Sequence, residues 1–459
     1  MENGGAGKDL LAIYRIHCEI VMETSNAKIK IGLGLSGGGY RAAAFHLGTL
    51  RKLNALGILD KISVLSTVSG GSIVGVDYLL SLTANDKTYK TFEDTFIKKL
   101  RKSVIAQVLR SATFISLVVA ALLWFAAILY FQFSNYVWMS WILLALGSTI
   151  GIIRQFKIFP VSSIIMGIYD RIFFSKKTLK DLPDSPLVAI NATNIETGRP
   201  FIFSKDRMGD STYDFMKPPI QFHCAEFRLS RSVMASSCVP SVFTPVSIPK
   251  RYFENLTEKR VNPQLLDGGI YDNQGIHKLT VERSRYSCDI VIVSDAGNKM
   301  SSKSVYGNVF SLLVRVMDLF MVRIKKFQIQ DNIYKATRDK NIEIAYISLG
   351  WDLGNCIPGF IDNLENQNIP RPIIEALKIP ADYLNPVNRK KVQEFLEEKV
   401  KYKAIISQAQ PKDKLELARN VSTNLTALST SEIDALINQA ELMTELQIKL
   451  YCPSLFIEK

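Results

Sequence analysis

Histidine and cysteine are scarce in this chain, four and six in 459 residues. His17, His46, His223 and His277 show no H-x-x-x-H spacing and no EF-hand loop is present, so the sequence offers no metal site and implies no cofactor. Cys18, Cys224, Cys238, Cys288, Cys356 and Cys452 lie far apart without a C-x-x-C pair, which argues against a disulfide framework or a thiolate zinc site and fits reduced, cytosolic surroundings. No repeat or low-complexity tract appears. A cleavable signal is not expected either, because Arg15, His17 and Glu19 interrupt the apolar stretch from Leu10 to Met22. Acidic residues are fewer than basic ones, 43 against 56, a surplus of +13 that nucleic acid, an anionic membrane or an acidic partner would each explain. With 22% charged and 47% hydrophobic residues, the chain is neither disordered nor a coiled coil, and it is long enough to bury a large core.

The longest absence is of charge. From Ser111 to Ile153, 43 residues pass without Asp, Glu, Lys, Arg or His. The run divides at Ser134-Asn135 into stretches of about 22 and 18 residues, helices of roughly 33 and 27 Å against a hydrocarbon core of about 30 Å. Tyr130, Phe131, Phe133, Tyr136, Trp138 and Trp141 gather at the turn, as rings do at a membrane–water interface. Between Lys98 and Lys180 there are eleven Lys and Arg and one acidic residue, Asp170, a local +10 that leaves +3 for everything else. Basic flanks on both sides of the run predict a transmembrane hairpin with both ends in the cytoplasm, in preference to a helical hairpin buried in a soluble core. DNA binding is disfavoured, because the basic residues border the apolar run and no groove-reading motif is present.

Elsewhere strands and helices alternate. Lys28 to Leu35 and Ile62 to Val68 read as strands, followed by helices over Tyr40 to Leu56 and Gly70 to Leu82. Leu187 to Ile195 and Pro200 to Phe203 form a strand pair, Asp289 to Val293 and Ile342 to Ser348 are further β-branched strands, and Asn388 to Ile406 and Thr430 to Leu450 are helical. Val161 to Phe174 suits an interface-lying helix or a core helix equally. The class is α/β, with the hairpin inserted into one domain.

Three strand-end loops carry candidate chemistry. Gly37-Gly38-Gly39-Tyr40-Arg41 turns backbone N–H groups together at a helix start, where a phosphate or an oxyanion would be held, although such turns also occur without a ligand. Gly32 to Gly37 matches G-x-G-x-x-G, yet the acidic residue a dinucleotide site needs after the second strand is missing, since Asp60 precedes that strand. Ser69 in Thr67-Val68-Ser69-Gly70-Gly71 sits between a strand and a helix, as a nucleophile or as a helix cap; Gly71 has the register of G-x-S-x-G but Thr67 stands where the motif has glycine. Ser66 and Ser72 lack that register. Asp267-Gly268-Gly269 closes an apolar strand, and alone it reads as an ordinary turn.

Taken together and in this order, these loops resemble the signatures G-G-G-x-R-G, G-x-S-x-G and D-G-[GA] of the patatin-like phospholipase family, over about Ile31 to Val246 outside the hairpin and again over Gln264 to Gly275. Ala235 to Val246 is similar to the family's structural A-S-x-x-x-P-x-x-F-x-P stretch. Ala42, Thr67 and the hairpin are departures from the pattern. The resemblance implies a three-layer α/β/α acyl hydrolase domain, 28–110 and 154–459, interrupted by the hairpin over 111–153, preceded by a segment 1–27 and ending in a helical region.

It also implies a Ser69/Asp267 dyad without histidine, an oxyanion hole from the amides of Gly37, Gly38 and Gly39, and supporting roles for Arg41, Gly71, Gly268 and Gly269. A carboxylate activates a hydroxyl only through a direct hydrogen bond in water-poor surroundings. The activity implied is a membrane-anchored phospholipase of A type; a neutral-lipid lipase or acyltransferase, a lipid-sensing module on a degenerate fold, and a nucleotide-binding enzyme are the alternatives.

Overall fold

The computed structural model describes residues 29–84, 88–240, 243–282, 284–298, 307–331, 342–384 and 386–457. The segment 1–27, with its interrupted apolar stretch, lies outside the described residues.

The order of elements follows the alternation in the sequence. Strand β1 (Ile31–Leu35) leads into helix α1 (Gly39–Ala55), and β2 (Ile62–Val68) into α2 (Gly70–Leu82). Helices α3 (Tyr89–Leu100) and α4 (Val104–Leu109) then lead to two long apolar helices, α5 (Ala112–Gln132) and α6 (Val137–Ile158), and the chain returns through α7 (Val161–Tyr169). Strands β3 (Leu187–Asn194), β4 (Arg199–Phe203) and β5 (Met208–Gly209) follow, then helix α8 (Leu229–Ser236), β6 (Val246–Ser247), β7 (Gln264–Asp267) and β8 (Ile290–Asp295). After helix α9 (Val309–Gln328) come β9 (Glu343–Ser348) and a helical region ending in α10 (Thr430–Tyr451).

Among the described residues nine strands form one sheet in the order β5-β4-β3-β2-β1-β8-β9, with β7 joined to β3 and β6 to β7. β3, β2, β1, β8 and β9 are mutually parallel, while β4 and β7 are antiparallel to β3. The parallel strands are buried nearly throughout, as strands covered on both faces must be. Their period of two sorts side chains between two cores. Ile290, Ile292, Ala345 and Ile347 face the large core with α1, α2 and α10, whereas Val291, Val293, Ile344 and Tyr346 face a smaller one with Leu279 and Tyr286.

Charge pairs tie the C-terminal helix to the first. Lys52 of α1 meets Glu445 of α10 at 2.9 Å, and Arg51 bridges Glu93 of α3 and Glu441 of α10. Helix α7 with the π-helical turn after it buries Ile165, Ile168, Tyr169, Ile172, Phe173 and Phe174, so Val161 to Phe174 is a core element, not an interfacial one.

α5 and α6 pack only on each other along most of their length. No residue of α5 is buried, and both helices are long and apolar enough to cross a membrane. Trp124 seals the pair, its indole N–H donating to the Leu143 carbonyl at 3.1 Å and its ring lying against Gly147. The turn falls at Ser134 and Asn135 as the sequence suggests, but α6 runs five residues beyond Ile153, through Arg154 and Lys157. Helix α9 has no counterpart in the sequence reading.

Candidate active site

Strand β3 is longer than its neighbour β2, and that difference builds the site. β2 pairs with β3 in parallel up to Val68 opposite Asn191. On the same edge, β7 pairs antiparallel and ends with Asp267 opposite Ala192, the next residue along. The two strands therefore run toward each other and stop head to head, and the residues that follow them are Ser69 and Gly268. A Cβ on Gly268 would lie 2.4 Å from the Asn191 carbonyl oxygen and 3.2 Å from Val68 Cγ1, so no side chain fits where the strand ends abut. The Asp267 carboxylate is thereby set beside the Ser69 hydroxyl, which hydrogen-bonds to it.

Ser69 occupies the N-cap position of α2 but does not cap it: its side chain makes no capping bond. Its backbone has φ 49° and ψ −116°, a conformation costing a non-glycine residue roughly 1–3 kcal/mol and typical of a strained strand-to-helix elbow. The Ala235 to Val246 stretch holds this turn from behind. Ser236 Oγ accepts the Ser69 N–H at 2.9 Å, and two carbonyls of the same stretch, those of Cys238 and Ser236, accept the N–H groups of Asp267 and Gly268 at 2.8 and 3.2 Å. One short segment thus registers both candidate residues. The sequence reading did not single out Ser236, although the A-S pair of the structural motif contains it.

Ser66 and Ser72 are occupied elsewhere. Ser66 accepts from Asn191 Nδ2 at 3.0 Å, and Ser72 is bonded to both Thr67 Oγ1 and Ser236 Oγ at 2.9 Å. These bonds also explain Thr67. Its hydroxyl accepts from Ser72, while its methyl fills the space over Gly75, where a Cβ would come within 2.7 Å of Thr67 Cγ2. The small residue that lets strand and helix approach has moved from position 67 to the second turn of α2.

The glycine turn lies directly against the elbow. A Cβ on Gly70 would sit 2.1 Å from the Gly39 carbonyl oxygen, and one on Gly37 would sit 3.2 Å from Ser69 Cβ. Gly38 and Gly39 have φ of 139° and 58°, and α1 begins without a side-chain cap or an acidic residue in its first turn. Such a helix start presents uncompensated N–H groups and favours an anion. The Gly37 N–H, however, donates to the Asn273 carbonyl at 2.9 Å. Of the three amides expected to form the hole it is already engaged, and those of Gly38 and Gly39 are the ones that meet no acceptor among the described residues.

Arg41 turns away from the chemistry to brace the C-terminal region, donating to the Val421 carbonyl at 3.2 Å; burial lowers its pKa while Asp295 acts in the opposite sense. His46 is structural too. It is fully buried beneath the glycine turn between Ser294 Oγ at 2.7 Å and the Ser36 carbonyl at 2.9 Å, and burial brings its pKa down to about 4, leaving it neutral. Gly71 donates its N–H to the Ser36 carbonyl at 3.1 Å, and Gly269 donates to Asp267 Oδ1 at 2.7 Å.

Asp267 is 5% exposed and Ser69 6% exposed. Burial raises the Asp267 pKa to about 6, against the opposing bonds from the Gly269 N–H and the Ser69 hydroxyl. A carboxylate so raised is ionised at neutral pH and a better proton acceptor than one in water. Asp272 is pushed to the same range by burial, but it accepts the backbone N–H groups of Gln274 and His277 at 3.0 and 2.7 Å and so shapes the loop. Among the described residues no group of His, Cys, Asp and Glu side chains is arranged to hold a metal ion.

Parallel strands that end in a strained serine, with a buried aspartate and an open pair of turn amides beside it, form an arrangement suited to acyl-transfer chemistry. The patatin-like phospholipase family model matches residues 33–280, more than half of the chain. The chain belongs to the patatin-like phospholipase family. Among solved structures it is similar to human GIVD cytosolic phospholipase A2, at 13% identity and a TM-score of 0.36 over 58% of this chain and 42% of that one. It is also similar to VipD from Legionella pneumophila, at 12% identity and a TM-score of 0.28 over 93% of this chain and 86% of that one. The chain thus spans under half the length of the human phospholipase. No curated protein sequence matches it.

Two outcomes follow from this geometry. Gly75→Ala is expected to destabilise the protein by about 1–3 kcal/mol through overpacking against Thr67, and Thr67→Ser, which removes only the methyl, is expected to restore most of the loss in urea unfolding. Because the folded-state pKa of Asp267 lies above its ordinary value of 3.8, its contribution to stability is complete below pH 4 and is lost as pH rises through about 6. Asp267→Asn should therefore raise Tm at pH 7.5, by an amount equivalent to roughly 2–3 kcal/mol, with the gap closing on acidification toward pH 4.

Proposed function

We propose that the protein is a membrane-anchored phospholipase of A type in which Ser69 is the nucleophile and Asp267 its base. The observation that carries this reading is the hydrogen bond between a strained serine and a buried aspartate with a raised pKa, placed beside free amides at a helix start. Ser69 Oγ attacks the acyl carbonyl carbon of the ester while its proton passes to Asp267. The oxyanion is held by the Gly38 and Gly39 amides, with Gly70 at the first turn of α2 as a further donor that the motifs alone did not suggest; each such donor is typically worth about 2.7–4 kcal/mol. As the intermediate collapses, the ester C–O bond breaks and the departing lysophospholipid oxygen takes the proton from Asp267. Water then attacks the acyl-Ser69 ester, giving its proton to Asp267, and the fatty acid leaves as Ser69 is reprotonated. Arg41, Gly71, Gly268 and Gly269 support these groups without touching the substrate.

Membrane anchoring is supported by the way the hairpin is rooted. At its entry the Val104 N–H donates to the Leu425 carbonyl at 3.0 Å, next to Asn424, whose carbonyl accepts the Tyr40 N–H at 2.9 Å and packs on Gly39. At its exit Ser162 Oγ donates to the Thr244 carbonyl at 2.5 Å and lies 3.9 Å from Cys238 Sγ, in the residue whose carbonyl accepts the Asp267 N–H. Both feet therefore stand within one or two contacts of the site. The catalytic domain, 28–110 and 154–459, rests on the cytoplasmic leaflet in this reading, with the basic collar facing anionic headgroups.

A fluorophosphonate probe is expected to label the detergent-solubilised protein and to lose its signal in Ser69→Ala, while Asp267→Asn lowers phospholipid hydrolysis by at least about a hundredfold. Persistent labelling of Ser69→Ala would defeat the assignment. Mass spectrometry of defined liposomes should find free fatty acid and lysophospholipid; release from triacylglycerol alone would mark a neutral-lipid lipase, and transfer to an alcohol an acyltransferase. Replacing residues 112–158 by a short Gly/Ser linker should move the protein from the alkali-resistant membrane fraction to the supernatant.

A further inference from the structure

Ser69 and Asp267 are nearly inaccessible, yet their proposed substrate carries long acyl chains. A cleft of about 310 Å³ is lined by Asp77, Leu80, Lys99 and Phe173, between α2, α3 and the turn after α7, and Ser69 is not part of its lining. What stands over the Asp267 turn is α9. Met321 Cε lies 3.2 Å from where a Cβ on Gly269 would be, and Gln328 Nε2 donates to the Tyr271 carbonyl at 2.9 Å. Lys325 forms an ion pair with Asp295 at the end of β8. Asp295 does not depend on that lysine, since Tyr346 OH and the Gly297 N–H also donate to it, at 2.8 and 2.9 Å.

α9 is held unlike the other long helix of the domain, α10, of which more than half is buried: no described residue of α9 is fully buried. Val314, Met317, Met321, Ile324 and Gln328, at helical spacing, form the partly covered inner row. The outer row is apolar as well. Val309, Leu313, Phe320 and Phe327 are 56–72% exposed, with Leu312 and Leu319 beside them. The two rows are neighbours on one broad apolar face, and a face of which half stands in water calls for a second partner. The charges of α9 select that partner: Lys325 is paired with Asp295, and Arg315, Arg323 and Lys326 stand against a single acidic residue of the helix, Asp318. Phe327 and Arg323 form a cation–π pair at 5.4 Å that places a cation at the edge of the apolar row.

We infer that the outer face of α9 docks on an anionic phospholipid surface, as a membrane contact separate from the hairpin, and that docking draws Met321 and Lys325 away from the site. The occupant is lipid because the apolar row is bordered by cations and because α9 covers the end of the sheet where the hairpin is rooted. Half-burial of Phe320 and Phe327 in the headgroup region supplies the missing partner, and anionic headgroups meet the exposed Arg323 and Lys326 that flank the row. The gating step rests on the reading of Ser69 and Asp267 given above; the docking does not.

The test uses the full chain in nanodiscs, in the Ser69→Ala background so that it is independent of turnover. An environment-sensitive nitrobenzoxadiazole label at Phe320→Cys, in a chain that also carries Cys18→Ser and Cys224→Ser, should brighten by roughly threefold in phosphatidylcholine mixed with phosphatidylglycerol relative to phosphatidylcholine alone. A label that stays in water in both lipids overturns the docking, and equal burial in both overturns its charge selection. Burial that follows protein concentration in detergent assigns the face to a second copy and also overturns it. With Ser69 restored, Phe320→Ser/Phe327→Ser should lower hydrolysis of the mixed bilayer at least about tenfold while leaving cleavage of a monomeric short-chain ester within about twofold. Equal loss on both substrates overturns the gating.

Discussion

The arrangement of this protein depends on one edge of one strand. β3 offers β2 a parallel partner as far as Asn191 and offers β7 an antiparallel partner from Ala192 onward, so two strands of opposite direction end against each other. Backbone hydrogen bonding fixes that meeting to within one residue, and side-chain choice has little freedom there: Gly268 has no room for a Cβ, and Ser69 is forced to positive φ. The strain is local and is held by the surroundings, through Ser236 behind the turn and the packed backbone of Gly39 and Gly70 in front. A buried aspartate without a cationic partner would ordinarily be a liability. In the proposed dyad the same burial, which raises its proton affinity, is what makes a carboxylate serviceable as a base.

Around this centre the molecule joins chemistry to a surface. The hairpin is connected at its entry to the loop that packs on Gly39 and at its exit to the segment that anchors Asp267. The basic surplus is concentrated beside the hairpin, and α9 adds a second apolar and basic face at the same end of the sheet. In the proposed reading a buried site and a lipid substrate are compatible, because the bilayer supplies both the substrate and the partner that α9 lacks in water.

Much of this was legible in the chain. β2 and α2 fall on the residues that hydrophobic patterning assigns to them, since a strand buried on both faces and a helix begun by a glycine pair leave little ambiguity. The hairpin was legible for the same reason, 43 residues without a charge. Less legible were features that depend on distant partners. Val161 to Phe174 has one apolar pattern for two environments, and only its packing against α4 and α8 makes it a core element. Helix α9 carries one broad apolar face, and only packing shows that half of it covers the Asp267 turn while the other half is left open. The Gly37 amide looks the same as its neighbours in sequence, and it is lost to the glycine turn only because Asn273, more than two hundred residues away, takes its N–H.

The sequence by itself determined the class, the hairpin, the concentration of charge and the identity of Ser69, Asp267 and the glycine turn as candidates, because each is written in local composition or in a short motif. Only the tertiary structure decided that the serine is not a cap, that Thr67 is tolerated through Gly75, that Gly38 and Gly39 remain as the open amides, and that α9 stands over the site. Those depend on which backbone groups and methyls meet across strands and helices, and that is settled by packing between residues far apart in the chain.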